Sequence, residues 1–182
     1  MTIVLIGSEG RKPRLLAEPY VPVRYTALHA KRLSWMKEAF KLAQTAEEQG
    51  EVPVGAVLID ENHQIVGRGF NQVLQKNDPT AHAEIIAIRE ASSSIKNYRL
   101  ENTTLYVTLE PCCMCASALV HARIKRLVFA TRDVKASAAG SLLNLLRGYP
   151  FNHQVHIDEG VMQKECALLL ADFFKNRRSI IE

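Results

Sequence analysis

His82 and Glu84 are separated by one residue, and Cys112 and Cys115 by two; these four side chains are the ones best suited to hold a metal and move a proton. Cys112 and Cys115 stand three positions apart, so on a helix they share a face and two thiolates can converge on one ion. With His82 they supply three ligands, which leaves the fourth tetrahedral position of a zinc ion to water, the mark of a catalytic site rather than a structural one. Two thiolates and a neutral imidazole cancel the charge of Zn²⁺, and helix N-termini stabilise thiolates. For Glu84 two roles are open: a fourth ligand, or a carboxylate kept off the metal that takes a proton from water and passes it to a substrate nitrogen. The second is preferred. A Cys-x-x-Cys pair at a helix start is also the geometry of a thiol oxidoreductase, but His-x-Glu and Cys-x-x-Cys in matched contexts favour zinc.

Cys113 and Cys115 are an alternative ligand pair. Residues two apart on a helix diverge by about 200°, so Cys112 with Cys115 is the better geometry, and Cys113 is expected to be a small buried filler. Cys166 falls in an apolar stripe and is expected in the core. His29, His63, His121, His153 and His156 lack ligand-spaced partners and are expected at the surface or in packing roles.

Both halves of the constellation need helices that begin just after a loop or strand. Thr80 is expected to cap a helix from about residue 81 to 95, and Pro111 to open another that runs to about residue 122. Before them, Ser34 suits the N-cap of a helix carrying Met36, Ala39, Phe40 and Ala43, with Gly50 as its stop. Residues 54–59 and 64–70 read as a hairpin, followed by a polar loop through residues 71–79. Strands are expected at residues 104–109, 126–130 and 154–157, a short helix near residues 139–146, and a long amphipathic helix from Val161 to about Arg178. The order αββαβαβαβα specifies an α/β protein with five strands in one mixed sheet and helices on both faces. Residues 1–33 carry Pro13, Pro19 and Pro22 without sustained periodicity and are expected to be a poorly ordered extension, with Thr2–Ile6 as an optional edge strand. Residues 34–182 form the expected catalytic domain.

A chain of 182 residues with 47% hydrophobic and 23% charged residues suits one soluble domain. Three of its four cysteines crowd into residues 112–115, which favours metal or thiol chemistry in a reducing cytoplasm over a disulfide framework. Neither export nor membrane insertion is expected, because no apolar run approaches a spanning length. Residues 1–33 hold six basic residues against Glu9 and Glu18, an excess equal to the whole net charge of +4, so the total charge says nothing about a nucleic-acid partner. Two local clusters remain: Arg123, Lys125, Arg126, Arg132 and Lys135, and Lys175, Arg177 and Arg178.

The combination of His82, Glu84, Pro111, Cys112 and Cys115 resembles the signature of the cytidine-deaminase-like zinc deaminases. The likeness is greatest to the bacterial tRNA-specific adenosine deaminases and extends from about Leu33 to Ser179. It includes Glu51–Val57, Asn71, Asp78–Glu84, Leu105–Glu110, Arg132 and Asp133 with Ala138–Ser141, and Phe173–Arg178. The resemblance implies a three-layer α/β/α fold, one zinc ion per chain, a homodimer, and hydrolysis of the wobble adenosine in a tRNA anticodon stem-loop to inosine. It assigns zinc to His82, Cys112 and Cys115 and proton transfer to Glu84. Asn71 and the backbone of Ala83 would hydrogen-bond the flipped nucleotide, Val52 would press on the base, and Arg132, Asp133, Phe173, Phe174, Arg177 and Arg178 would contact the splayed loop. Ala136 and Ser137 stand where Thr-Gly is usual, and Cys113 where Val or Thr is usual. The rival readings are a deaminase of a free nucleobase or nucleoside, and a non-catalytic RNA-binding zinc module; Glu84 speaks against the latter.

Overall fold

Alternation of side chains along each strand sorts the core into two layers, one on either face of a single sheet. The computed structural model describes residues 27–133, 135–146 and 150–179. In chain order its elements are α1 (Ala27–Glu48), β1 (Gly55–Ile59), β2 (Ile65–Phe70), α2 (Val73–Lys76), α3 (Ala83–Ile95), β3 (Thr104–Leu109), α4 (Cys113–His121), β4 (Arg126–Thr131), β5 (His156–Glu159) and α5 (Gln163–Ser179). The sheet runs β2-β1-β3-β4-β5. β1 is antiparallel to β2 and β3, whereas β3, β4 and β5 are parallel. Ala56, Leu58, Leu105, Val107, Leu127 and Phe129 face α3 and α4. Val57, Ile59, Tyr106, Val128 and Ala130 face Met36 and Ala39 of α1 and Cys166 of α5. The expected mixed five-stranded α/β/α architecture is therefore present, with Cys166 in its core.

The parallel strands β3 and β4 place their C-terminal ends at one edge of the molecule, where α4 also begins, and α3 is held against the sheet so that it begins there too. Glycines set how closely α3 lies. A Cβ at Gly69 would come within 2.1 Å of the Ala83 carbonyl oxygen, and one at Gly67 within 2.2 Å of the Ala87 carbonyl oxygen. Only hydrogen at these two positions lets the helix backbone rest on β2, with Ala83, Ala87 and Ala91 buried along the seam.

Several boundaries differ from expectation. α1 begins at Ala27, so Ser34 is an interior residue and not the cap; Ala27, Leu28, Lys31 and Arg32 are good helix formers, and Arg32 is tied to Asp158 at 3.0 Å. α3 is capped by His82 instead of Thr80, because Thr80 is drawn into a turn in which its N–H and hydroxyl donate to Asp78. These bonds lower the Asp78 pKa. Likewise Pro111 precedes the cap Cys112 and does not open the helix. The polar loop after β2 contains the one-turn α2. β5 lies two residues later than expected, in the register that sets His156 opposite Arg126 and lets Asp158 meet both Arg126 and Arg32. Residues 139–146 form no helix: Gly140 has φ 137°, Ala139 pairs with Asn144, and the Ala139 and Ser141 amides donate to Glu110. The expected strand at Thr2–Ile6 and the expected disorder of the extension lie outside the described residues.

Gly69→Ala should force α3 off β2 at the residue between His82 and Glu84. Overpacking of this kind costs about 1–3 kcal/mol. A lower denaturation midpoint together with a reduced zinc content by metal analysis is expected; normal values of both would contradict the close-approach account.

Candidate metal and substrate site

α3 and α4 reach the same point from different parts of the chain, and each brings a ligand as its N-cap. His82 caps α3 and Cys112 caps α4, both in extended backbone conformation, while Cys115 lies in the first turn of α4. Cys112 and Cys115 thus converge from a cap and a first turn, without both being helical. His82 Nδ1 lies 3.7 Å from Cys112 Sγ and 3.6 Å from Cys115 Sγ. All three donor atoms fall within 4.8 Å of one another, the only such group of at least three among the described residues. Ordinary Zn–N and Zn–S bond lengths at a tetrahedral angle require an N···S separation of about 3.6 Å, so the donor set fits zinc.

The protons on these groups are coupled. The hydrogen bond shared with Cys115 pulls the Cys112 thiol down to about 4, and the same bond, with burial, holds the Cys115 thiol far above its ordinary range. The hydrogen bond to Cys112 raises the His82 pKa. Two thiols and an imidazole that share hydrogen bonds in this way are donors a divalent cation takes over by displacing their protons. Helix N-termini on both sides add positive potential.

Glu84, in the first turn of α3, is buried and stands outside the three-donor group. Burial raises its pKa. A carboxyl tuned upward next to a metal site, and hydrogen-bonded to the Cys115 thiol, is suited to accepting and returning a proton.

His82, Glu84 and Cys112 line the floor of a cleft of about 530 Å³, with Cys115 buried behind them. Val52, Asn71, Asp133, Phe173, Phe174 and Arg177, all singled out from sequence, line it. Asn71 is held at both ends: its Oδ1 accepts from Ala83 N at 2.9 Å and its Nδ2 donates to Val52 O at 3.1 Å. It therefore ties the Val52 wall to the start of α3, and the Ala83 N–H is already engaged. Phe173 and Phe174 meet edge to face, and the Arg177 guanidinium sits 5.1 Å over Phe173 while donating to Gly50 O. Arg132 and Arg178 are not among the lining residues. Arg132 is paired with Glu159 at 2.7 Å, as Arg126 is with Asp158, so the first basic cluster is partly neutralised within the sheet.

Two acidic residues at the cleft escaped sequence reading. Glu51 is buried and accepts from Leu74 N and Gln75 N, which fixes α2 at one rim. Glu110 is buried and binds the opposite rim. In the sequence they stood only within stretches of family likeness, each beside a largely apolar run: residues 52–59 after Glu51 and 105–109 before Glu110. Cys113 is exposed and not the buried filler expected. Among the remaining histidines, His63 packs on Trp35 and His153 contacts Ile124 O.

Residues 29–131 match the zinc-binding region of cytidine and deoxycytidylate deaminases. The chain is 52% identical over 143 residues to a tRNA-specific adenosine deaminase of Haemophilus influenzae, covering 79% of this chain and 83% of the relative. It is 46% identical to one from Bacillus subtilis, covering 79% and 89%. A solved structure from work on A-to-I editing by tRNA:A34 deaminases superposes with a TM-score of 0.73 at 39% identity, covering 75% of this chain and 99% of the other.

Removal of one donor should empty the site. Cys115→Ser and His82→Ala are each expected to purify with less than about a tenth of the zinc of the unaltered chain under mild chelation, given the dependence of such sites on a complete ligand set. Cys113→Ser should retain full zinc; a loss there would move the ligand assignment to Cys113.

Proposed function

The chain belongs to the tRNA-specific adenosine deaminases within the cytidine and deoxycytidylate deaminase zinc-binding family, and from that membership we propose that it hydrolyses the wobble adenosine of a tRNA anticodon loop to inosine. The observation that carries the reading is the arrangement of Glu84 beside the His82, Cys112 and Cys115 donors, at the floor of a cleft whose wall bears paired aromatics and an arginine. One zinc ion per chain, bound by those three residues, supplies the Lewis acidity that makes water a nucleophile at neutral pH.

The protein's own groups then have distinct tasks. Glu84 accepts a proton as water adds to purine C6 and delivers it to N1. The proton left on the C6 hydroxyl is then passed to the exocyclic nitrogen, so that the C6–N bond breaks, ammonia leaves and C6 becomes the carbonyl of inosine. Burial suits Glu84 to the first of these transfers, because it raises the carboxyl's pKa and so favours uptake of the proton. Val52 presents an apolar wall to the flipped base. Asn71 aligns that wall with the α3 start through its two amide bonds. Phe174, 45% exposed, offers a stacking surface for unstacked bases and is backed edge-on by the buried Phe173, while Asp133, Arg132, Arg177 and Arg178 supply polar contacts on the surrounding surface.

The catalytic unit is the domain that follows the N-terminal extension, and α1 carries it back to Ala27. Two copies pair in this reading; Leu142 and Leu143, 58% and 47% exposed close to the rim, support a covered surface there. The enzyme acts in the cytoplasm, where its tRNA resides. No described helix is long and apolar enough to cross a membrane.

Incubation with tRNA bearing a wobble adenosine, read by sequencing for inosine, tests the activity. Glu84→Ala should lower kcat by about 10²–10⁴-fold while keeping its zinc. Deamination of free guanine or cytidine with the tRNA untouched would overturn the substrate assignment, and a fully active Glu84→Ala variant the proton-transfer assignment. Light scattering at twice the chain mass is expected; a single-chain mass would overturn pairing.

A further inference from the structure

Glu110 lies two residues before the ligand Cys112, at the end of β3, yet its carboxylate turns away from the donor group toward the opposite rim. Oε1 accepts from Ala139 N at 3.1 Å and Ser141 N at 3.0 Å. Oε2 accepts from the Ser141 hydroxyl and from Asp133 N at 3.4 Å. The Glu110 backbone is fixed as well, its N–H donating to Thr131 O at 2.8 Å. Around it the rim is sewn to the ligand segment: Cys112 pairs with Ser137, and Ala138 N donates to Pro111 O at 2.8 Å. Arg132 joins the same cluster through Ser141 Oγ at 3.1 Å.

A buried carboxylate is expensive to desolvate, and four donors from both ends of one rim are what offset that cost. The consequence is geometric. Asp133 and Ala136 line the cleft, and the residues holding them there are bonded to a side chain whose own backbone leads directly into Cys112. Rim and zinc ligands therefore share one rigid frame. Beside the backbone ties of Ser137 and Ala138 to Cys112 and Pro111, the Glu110 carboxylate is what joins Asp133, Ala139 and Ser141 at one point.

We propose that Glu110 is a positioning residue for the RNA substrate: its carboxylate sets the place of Asp133 and Ala136 relative to the metal donors, and so governs substrate affinity without touching the reacting atoms. This rests on the tRNA deaminase reading. In Glu110→Gln the shape is kept but one acceptor becomes an NH₂ group facing N–H and O–H donors, so the rim loses part of its hold.

Steady-state kinetics on an anticodon stem-loop with wobble adenosine, metal analysis and amide hydrogen exchange of the zinc-loaded full chain test the proposal together. Glu110→Gln should raise KM by about tenfold or more, leave kcat within roughly threefold and keep one zinc per chain. The Ala139 and Ser141 amides should exchange faster. Glu110→Asp keeps the charge but withdraws it by one methylene, and should also raise KM. Should the Gln variant fail to fold, Ser141→Ala, which removes a single donor, should raise KM by roughly threefold. An unchanged KM in the folded variants, or a fall in kcat that tracks lost zinc, would overturn the proposal. If the unaltered chain forms no inosine, the assigned function falls instead, and the exchange measurement, which needs no substrate, still decides whether Glu110 holds the rim.

Discussion

His82 Nδ1 and the sulfurs of Cys112 and Cys115 meet at 3.6–3.7 Å because two helices start at the same place, and much of the fold serves that meeting. The constraint is severe. A shift of either helix by one ångström changes a donor separation that zinc tolerates only narrowly. α4 is placed by its position directly after β3. α3 needs more, since it follows a loop, and it is placed by backbone contact with Gly67 and Gly69 and by the Asn71 side chain bonded to Ala83 N.

The same economy extends outward from the metal donors. Glu51 and Glu110 each turn a buried carboxylate toward backbone N–H groups of a rim, so the cleft walls are built from irregular chain held as firmly as secondary structure. Asn71 does the same at the floor. A cleft made this way combines the adaptability of loops with the precision that proton transfer and base recognition require. Its aromatic wall is steadied by Arg177, which lies over Phe173 and bonds to Gly50 O.

Charge shows how much the surroundings decide. Arg126 and Arg132 belong to a basic run in the sequence, yet in the fold they face Asp158 and Glu159 on the neighbouring strand. Arg177 belongs to a similar run and faces the cleft. Composition cannot separate these cases, because a partner 27 or 32 residues away in sequence cancels the first pair.

The sequence by itself determined the metal chemistry, since one histidine and two cysteines at the right intervals leave few alternatives, and it determined the hairpin, the succession of five strands and the two-sided mixed sheet through hydrophobic periodicity. It marked the cleft residues Asn71, Phe173, Phe174 and Arg177 only through family resemblance. Tertiary structure alone decided the rest. Thr80 lost the cap of α3 to His82 because Asp78 captured its N–H and hydroxyl; residues 139–146 lost their helix because Glu110 claimed the Ala139 and Ser141 amides; Cys113, expected to be buried, lies exposed. In each case a local preference worth a fraction of a kcal/mol met a contact, or the lack of one, set by residues distant in sequence.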